Sequence, residues 1–403
     1  MYKLEIKLKQ QLEIKLKQHT PILHFQADLA DADATLRVTE LKPKLDRYLS
    51  ANFDIKKEWR IPKTNALNYK LKITAEQASN VDESKPPMFF GQGKQPLLIS
   101  RCKDQEQPDL TLHIFCLIPS LLSCLQQINW TDFFLSTNFG TRQSKGYGSF
   151  FQFDSPAPTG IIGKEIKIDK QITYRIDSYF LPQSRTQSRT WESVMNEISD
   201  VYKCLRSGIN EGGIYFKSLM FAYAKESKGQ WWDKRVIKEL FFPKKLEEQR
   251  KKHPKRTGPD PLAEQPRVEP YKSSYPMFRD NLGLATDEFW KEYSFKVKKK
   301  GPKDIARFKS PILFKPLLID NRWYVFILHR EIPKEFREAS FTIRKDDTRL
   351  RFQTFNKFSM KDFLNYVFAI EDYGKYLSKN IDRKRADTIL GNLREIKKNY
   401  KPF

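Results

Sequence analysis

A glycine-rich segment, residues 138–150, carries the residue types of a loop that can receive a polyanion. Glycine backbone adopts positive φ readily and lets a second backbone come close. The basic side chains would contact phosphates, the tyrosine ring would offer a stacking face, and the glycine N–H groups would add donors. The candidate RNA contacts in this segment are Gly140, Arg142, Lys145, Gly146, Tyr147 and Gly148.

The elements around this loop favour nucleic acid over a nucleotide cofactor. The apolar pattern predicts a helix from residue 120 to about 135 before the loop and a short strand, 149–153, after it. Dinucleotide and Walker loops instead follow a strand and open a helix. A plain glycine-rich turn before an edge strand stays the alternative, because isolated glycine motifs match often. The sequence therefore predicts RNA binding at this loop and no cofactor.

The overall charge supports an anionic partner. The 403 residues include 73 Lys and Arg against 49 Asp and Glu, a formal net charge of +24. Such a balance points to nucleic acid or to an anionic membrane surface. No apolar run approaches the roughly 18 residues that span a bilayer, and no signal-peptide pattern opens the chain. We expect a soluble, cytoplasmic protein with no membrane partner.

The cysteines give no sign of a metal site or of a disulfide framework. Cys102, Cys116, Cys124 and Cys204 show neither a CxxC pair nor a Cys/His spacing. We expect them to be reduced thiols, and we predict no metal.

The first part of the chain predicts an α+β domain with two helices on one face of an antiparallel sheet. The alternating residues 2–23 predict a strand, which contains the repeated segment 4–10 and 12–18. A helix over about 35–49, with Thr39 as its N-cap, and strands at 68–74 and 110–118 follow. With the helix and strand around the glycine loop, the order is βαββαβ, which is ferredoxin-like.

The rest of the chain predicts a second α+β domain with a long insertion. The division is 1–155 for the N-terminal ferredoxin-like domain and 156–403 for a C-terminal one, separated by a Pro/Gly-rich joint. Helices are predicted at 191–204, 215–224 and 361–377, and paired strands at 306–316 with 323–328. The connection across Asp320-Asn321 lacks the glycine of the tightest hairpin turns, so we expect a slightly longer loop there. Residues 341–355 predict a further hairpin through 345–347. Residues of about 228–300, where basic runs alternate with prolines, predict an exposed or partly disordered basic insertion.

Several segments resemble the RAMP superfamily of CRISPR-associated proteins. Residues 140–149 resemble the superfamily's loop of Gly, a basic residue and Gly-(Phe/Tyr)-Gly. Thr20-Pro21 and residues 36–42 look like its strand-then-helix opening. Residues 307–312 are similar to an Arg-x-x-Ser-Pro strand of the type III-B (Cmr) subunit that caps the guide 3′ end, and residues 280–284 to its Leu-Gly-Leu segment.

The resemblance implies two ferredoxin-like RAMP domains in a non-catalytic, RNA-binding subunit of a type III CRISPR effector. Such a ribonucleoprotein acts in antiviral defence. The expected partners are guide RNA, the complementary target RNA and other type III effector subunits. Arg37 and Lys42, in the first predicted helix, join the candidate RNA contacts.

Two kinds of RAMP ribonuclease stay as alternatives. In some RAMP subunits an Asp after the first strand cleaves target RNA with a metal, and Asp28, Asp31 and Asp33 lie in such a predicted loop. Acidic residues in solvated loops are more often turn formers and N-caps. Guide-processing RAMP enzymes use His as acid and base, for which His24 is the candidate, with His19 and His113.

A general single-stranded RNA-binding protein outside any CRISPR complex is the third alternative. An enzyme is the less favoured interpretation, and its activity would be that of an endoribonuclease. We predict no catalytic residue.

Overall fold

A computed structural model gives the fold as two compact units. It describes residues 11–24, 35–76, 80–82, 97–100, 106–183, 189–252, 273–285, 287–290, 293–302, 305, 307–337, 339–377 and 382–403. Unit 1 contains residues 1–202, 312–330 and 383–403, and unit 2 contains residues 203–311 and 331–382. These compact units do not coincide with the predicted domains 1–155 and 156–403. The predicted domain boundary stays a prediction. The predicted α+β class is confirmed.

Twenty strands are assigned within the described residues. They are β1 (Gln11–Gln18), β2 (Ile22–His24), β3 (Lys70–Ala75), β4 (Asn80–Asp82), β5 (Leu97–Ser100), β6 (Leu110–Phe115), β7 (Phe150–Gln152), β8 (Glu165–Lys167), β9 (Thr173–Phe180), β10 (Ile209–Glu211), β11 (Ile214–Phe216), β12 (Tyr275–Met277), β13 (Leu284–Ala285), β14 (Asp287–Trp290), β15 (Phe295–Lys300), β16 (Arg307–Phe308), β17 (Ile312–Ile319), β18 (Arg322–His329), β19 (Ser340–Lys345) and β20 (Thr348–Thr354).

The α-helices of the same residues are fewer and mostly short. They are α1 (Val38–Asn52), α2 (Pro119–Gln126), α3 (Trp130–Leu135), α4 (Trp191–Arg206), α5 (Leu219–Ala222), α6 (Asp233–Phe241), α7 (Pro243–Lys252), α8 (Lys334–Arg337), α9 (Met360–Ala369) and α10 (Arg383–Asn399). None of these helices combines the length and the apolar character that crossing a bilayer requires.

The first sheet of unit 1 is antiparallel, in the order β3-β6-β1-β7. Its central strand β1 is the second copy of the N-terminal repeat, and the first copy lies outside the described residues. Alternation buries Ile14 and Leu16, and Leu16 pairs with Leu110 of β6. The predicted strand 2–23 is interrupted at Thr20-Pro21, since β1 ends at Gln18 and β2 begins at Ile22.

The second sheet of unit 1 has the order β17-β18-β9-β8 and shares one apolar core with the first. The β17–β18 hairpin was predicted to need a longer loop because it lacks glycine. That prediction was wrong. Asp320 and Asn321 both adopt positive φ, of 49° and 57°, and Ile319 pairs directly with Arg322. Asp and Asn tolerate the left-handed region that a two-residue turn needs.

Several predicted helices have different bounds in the structure, among them 361–377, of which α9 covers only Met360–Ala369. Helix α1 starts at Val38 with Arg37 as its N-cap, so Thr39 lies one residue inside the helix. The predicted helix 120–135 is two helices, because Asn129 caps α3 by accepting a hydrogen bond from Asp132 N at 3.1 Å. Residues 215–224 begin in strand β11 and become helical only from Leu219.

Unit 2 is built on a five-stranded sheet of order β12-β20-β19-β15-β14. The predicted hairpin through 345–347 is confirmed as β19–β20. Much of the predicted insertion 228–300 has regular structure, since it contains α6, α7 and β12 to β15 and buries Val236, Ile237 and Val297. These elements correct the prediction of disorder for the part that they cover, whereas residues 243–248 at the start of α7 are largely exposed, as predicted. Residues 253–272 lie outside the described part.

Candidate nucleic-acid interface

The glycine-rich loop connects α3 to β7 and divides into an outer and an inner half. Residues 140–144 are half-buried or exposed, whereas residues 145–149 are buried. Left-handed backbone recurs along it, with φ of 73° at Gly140, 56° at Arg142, 92° at Gly146 and 67° at Gly148. Arg142 is the non-glycine residue in this set, and it is the exposed one.

The glycine N–H groups are already occupied by the chain itself. Gly140 N donates to Glu40 Oε2 at 3.0 Å. Gly146 N donates to Gln143 O at 3.1 Å, and Gly148 N donates to Pro21 O at 2.9 Å. The sequence predicted that these groups would serve as phosphate donors, and in this structure they do not. Their bonds fix the loop against β2 and α1.

The close approach that these glycines permit is also to the chain itself. A Cβ atom on Gly148 would lie 2.1 Å from Phe139 O, and one on Gly140 would lie 2.6 Å from Ile22 Cγ1. Real Cβ atoms do not approach other atoms so closely, so both positions require glycine. The glycine pattern is therefore explained by packing within unit 1.

Two of the predicted RNA-contacting side chains are buried. Tyr147 is only 1% exposed, so the ring has no face on which a base could stack, contrary to the prediction. Lys145 is 8% exposed, and its ammonium lies over the ring of Tyr202. A phosphate contact by Lys145 is not available in this conformation. Cation–π contact with an aromatic face accounts for its placement.

The inner half of the loop is fastened by a chain of polar contacts. Thr20 Oγ1 donates to Gly146 O at 2.6 Å and accepts from Ser149 N at 3.0 Å. Ser149 Oγ donates to Pro316 O at 2.7 Å. Asn138 Nδ2 donates to Gln143 O at 2.8 Å and to Phe314 O at 2.9 Å. Strand β17 thus forms the floor on which the loop rests.

A buried lysine of strand β17 bonds both ends of the loop. Lys315 is fully buried, and its Nζ donates to Thr137 O at 3.0 Å, to Asn138 Oδ1 at 3.1 Å and to Phe150 O at 2.8 Å. Burial, with a smaller contribution from nearby Lys44, lowers the pKa of Lys315 well below its ordinary value. The three acceptors lie at both ends of the loop, so one side chain holds its two ends together.

The outer half of the loop meets the first turns of α1, and we call this surface the loop–helix edge (residues 37–44 and 140–144). Lys44 Nζ donates to Asn138 O and, at 2.8 Å, to Gln143 Oε1. Burial by itself would raise the pKa of Glu40, but the His24 ring, Gly140 N–H and Lys44 hold it below its ordinary value. Glu40 is therefore an ionised carboxylate that anchors the loop to the helix.

The candidates on α1 differ in what their side chains contact. Lys42 Nζ lies 3.1 Å from both carboxylate oxygens of Asp46 and 2.9 Å from Leu67 O, over the ring of Tyr69. Its charge is committed within unit 1, so the predicted RNA contact by Lys42 is not favoured by this geometry. Arg37 is half-buried at the start of the helix, on the same edge as exposed Arg142.

Comparison with known proteins gives the identity of the chain. The Cmr1 N-terminal domain matches residues 9–209, and the Cmr1 C-terminal domain matches residues 215–397. The chain belongs to the Cmr1 family. Cmr1-family proteins are RAMP subunits of type III-B CRISPR effectors, as the motif resemblance predicted. Neither the curated proteins nor the solved structures gave a match.

The candidate histidines His24 and His113 of this Cmr1-family chain lie in different places in the described structure. His24 is 4% exposed, with Nε2 2.8 Å from Thr35 O and Nδ1 3.3 Å from Glu40 Oε1. His113 lies on a strand of the first sheet, 2.9 Å from Thr74 Oγ1 and 3.0 Å from Glu13 Oε1. Both rings are engaged by their own chain. These contacts do not present them as an acid and base pair for an external RNA.

The acidic candidates Asp28, Asp31 and Asp33 lie outside the described residues of the Cmr1-family chain. Within the part that the structure describes, no group of three or more His, Cys, Asp or Glu side chains could hold a metal ion. Cys116, Cys124 and Cys204 are buried and form no disulfide, and burial raises the pKa of Cys124 to about 11.

Sequence reasoning missed two residues that build the site. Lys44 lies on the basic face of α1, where its residue type alone does not set it apart from a solvated lysine, and it connects the helix to the loop. Lys315 lies between Phe314 and Pro316 in an apolar strand, and these neighbours do not indicate which groups it contacts. A lysine inside a predicted buried strand was the available signal, since an interior lysine must find partners.

Proposed function

We propose that the chain is a non-catalytic RNA-binding subunit of its type III-B effector, and that it contacts guide RNA or the paired target RNA with the loop–helix edge. The observation that supports this most is the placement of Arg142. Its side chain is exposed on a loop whose backbone is held by Glu40, Lys44 and Pro21. A guanidinium carried by an ordered backbone can bind a phosphate bidentately.

Arg37 and the overall charge of the chain support the same surface. Arg37 caps α1 beside the loop and adds a second guanidinium to the loop–helix edge. The formal charge of +24 provides a long-range attraction for a polyanion and makes the binding salt-dependent. Lys42 and Lys145 act in this proposal through the fold, because their ammonium groups have partners within unit 1.

We further propose that unit 1 contains two ferredoxin-like RAMP domains. The first sheet follows the chain order strand, helix, strand, strand, helix, strand if short β2, β4 and β5 are set aside, and its spatial order β7-β1-β6-β3 is that of the ferredoxin-like fold. In the second sheet, β9 is followed by α4, then by β17, β18 and α10. The edge position of the fourth strand is taken by β8, which precedes β9 in the chain. Residues 203–311 and 331–382 interrupt that second sequence as two insertions.

Copurification under native conditions tests this function. An effector subunit is expected to carry RNA of guide size with a constant repeat-derived end, together with other type III-B subunits. A general single-stranded RNA-binding protein would carry RNA of mixed sequence and no such subunits. Recovery of RNA of mixed sequence without type III-B subunits would overturn the proposal.

A nuclease assay separates the catalytic alternatives. Labelled guide and target RNA should stay intact with the purified chain, with and without a divalent cation. Shortening that disappears in Asp28→Ala, Asp31→Ala or Asp33→Ala would establish the slicing alternative, and loss in His24→Ala would establish the guide-processing one.

A further inference from the structure

Unit 1 contains a second candidate ligand site, a cleft of about 690 Å³. It is formed where the ends of β1 and β7 meet the start of α4 and the β17–β18 hairpin. A cleft of this size accommodates a small organic group such as a nucleoside. The residues that define its chemistry are His19, Phe153, Arg189, Trp191, Asp320 and Trp323.

His19 supplies a hydrogen-bond donor whose orientation is fixed. Its Nδ1 accepts a hydrogen bond from Leu318 N at 2.9 Å, so the neutral ring carries its proton on Nε2. Burial, Lys315 and Lys17 lower the pKa of His19 to about 3, which keeps the ring neutral at physiological pH. His19 is 5% exposed, and its Nε2 has no hydrogen-bond partner among the described residues. A buried N–H group without a partner is stabilised when a ligand atom accepts its hydrogen bond.

Arg189 supplies a second donor at the same cleft. Its Nη2 contacts Glu197, whose other carboxylate oxygen accepts from Asn392 Nδ2 at 2.6 Å. The other terminal nitrogen of Arg189, Nη1, is buried without a partner in the part of the chain that the structure describes. The backbone at this position is held as well, because Trp323 Nε1 donates to Arg189 O at 3.0 Å.

Aromatic rings supply the apolar part of the cleft. Trp191 and Phe153 are half-buried, so each has ring surface that is open to a ligand, whereas Trp323 is 6% exposed. Flat aromatic surface beside fixed hydrogen-bond donors is the combination that recognises an unstacked nucleobase.

The charges around the cleft restrict which part of a nucleotide can enter. Asp154, Glu192 and Asp320 lie among the lining residues, and Asp154 and Asp320 are exposed. The basic lining residues Lys17 and Arg189 are paired with Asp109 and Glu197. Carboxylates repel a phosphate but accept hydrogen bonds from ribose hydroxyls. The base and ribose are therefore favoured inside the cleft, with the phosphates outside it.

We infer that this cleft binds one nucleoside of a single-stranded RNA, with the base stacked on Trp191 and an acceptor atom of the base bound to His19 Nε2. The inference rests on the proposed RNA-binding function, and it identifies a site separate from the loop–helix edge. The base is recognised by stacking and by donors alone, so the site takes bases that present a ring nitrogen or carbonyl acceptor.

Titration of the full chain with 2-aminopurine riboside tests this site directly. The probe has no phosphate, and its fluorescence is quenched when it stacks on an indole. Quenching that saturates is expected for the unmodified chain. Trp191→Ala should weaken the binding by about tenfold, the scale of one base–aromatic stack, whereas Trp191→Phe should retain most of it. Absence of saturable quenching, or equal affinity in Trp191→Ala, would overturn the inference.

Two substitutions of His19 separate its two ring nitrogens. His19→Asn places an amide oxygen near Nδ1, which preserves the bond from Leu318 N and removes the donor towards the ligand. His19→Gln places an amide N–H near Nε2 and gives up the Leu318 bond. We expect His19→Asn to melt like the unmodified chain and to lose probe affinity severalfold, and His19→Gln to retain affinity even if its melting temperature falls. The reverse pattern would mean that His19 serves only the fold.

The same titration distinguishes this inference from the proposed RNA function. Arg142→Ala should leave riboside binding unchanged, because the loop–helix edge contacts phosphates. A chain that quenches the riboside but binds no single-stranded RNA would refute the proposed function, and with it the RNA as ligand, and would show a site for a free nucleoside instead. A chain that binds RNA equally well with and without Trp191, and does not quench the riboside, would refute the site alone.

Discussion

Lys315 Nζ lies 3.1 Å from Asn138 Oδ1, which joins the interior of strand β17 to the first residue of the glycine-rich loop. The same ammonium also bonds carbonyl oxygens of Thr137 and Phe150. The sequence of this loop resembles that of a ligand-binding loop. Its conformation is nevertheless stabilised by a buried side chain that lies 177 residues away along the chain. The buried amine determines the shape that the exposed half presents.

Lys315→Met is therefore expected to destabilise unit 1. Methionine has a similar length but leaves three buried acceptors without their donor, which should cost about 2–4 kcal/mol of unfolding free energy. Urea unfolding measures this loss. Lys170→Met, at an exposed lysine in the β8–β9 turn, is the matched control and should change stability by less than about 0.5 kcal/mol. A loss no larger than that of the control would mean that Lys315 does not hold the loop.

Gly148→Ala is expected to disrupt the same loop by a different route. The residue has φ of 67°, and its added Cβ would meet Phe139 O at 2.1 Å, so both strain and overlap oppose the substitution. We expect a loss of about 2 kcal/mol or more. In Gly160→Ala the new Cβ would meet nothing within 4 Å, and thermal unfolding of that control should match the unmodified chain. Equal melting temperatures for both variants would contradict the described backbone.

His19 predicts an acid-sensitive contribution to stability. The pKa falls from an ordinary value of 6.5 to about 3 on folding, so the unfolded chain binds a proton that the folded chain does not. The contribution of His19 to the free energy of unfolding is therefore complete above about pH 6.5. It is lost as the pH falls towards 3, by about 1.4 kcal/mol per pH unit. Between pH 7 and 4.5 the unmodified chain should lose about 2–3 kcal/mol more than His19→Asn, which cannot titrate.

Urea unfolding at the two pH values measures this difference. Subtracting the His19→Asn curve removes the contribution of carboxylates that protonate over the same range. Parallel losses in the two proteins would show that the ring at position 19 titrates alike in its folded and unfolded states.

Local sequence patterns predicted a large part of the fold, because alternation and helical spacing are properties of neighbouring residues. Strand β1, helix α1 and the β19–β20 hairpin were found in this way. The long helix α10 was not predicted, although it packs on β9 within unit 1. Its sequence is strongly charged, and its apolar face becomes apparent only in the buried positions of Ile389, Leu393 and Ile396.

The site was harder to predict because its residues come together through tertiary contacts. Tyr147 has the residue type of a stacking platform, yet it faces the interior. Lys42 and Lys44 are two positions apart, and only the structure distinguishes the lysine that neutralises Asp46 from the one that fastens the loop. Residue type gave the chemistry that was possible at each position, whereas burial and partners determine which positions can use it.

In the proposed interface, Arg142 contacts a phosphate and Lys42 has a structural role. These assignments predict different effects on the salt dependence of RNA binding. Each phosphate contact to single-stranded RNA contributes about 0.7 to the slope of log K against log salt concentration. Lys42→Ala should keep the slope and lower the unfolding free energy, because it breaks the contacts to Asp46 and Leu67.

The most direct test of the loop–helix edge is the slope for Arg142→Ala, measured with single-stranded RNA over several salt concentrations. If Arg142 contacts a phosphate, the slope of log K against log salt concentration becomes shallower than that of the unmodified chain by about 0.7. The slope for the exposed-lysine control Lys170→Ala should not change. An Arg142→Ala slope equal to that of the unmodified chain, in a protein that melts normally, would contradict this contact.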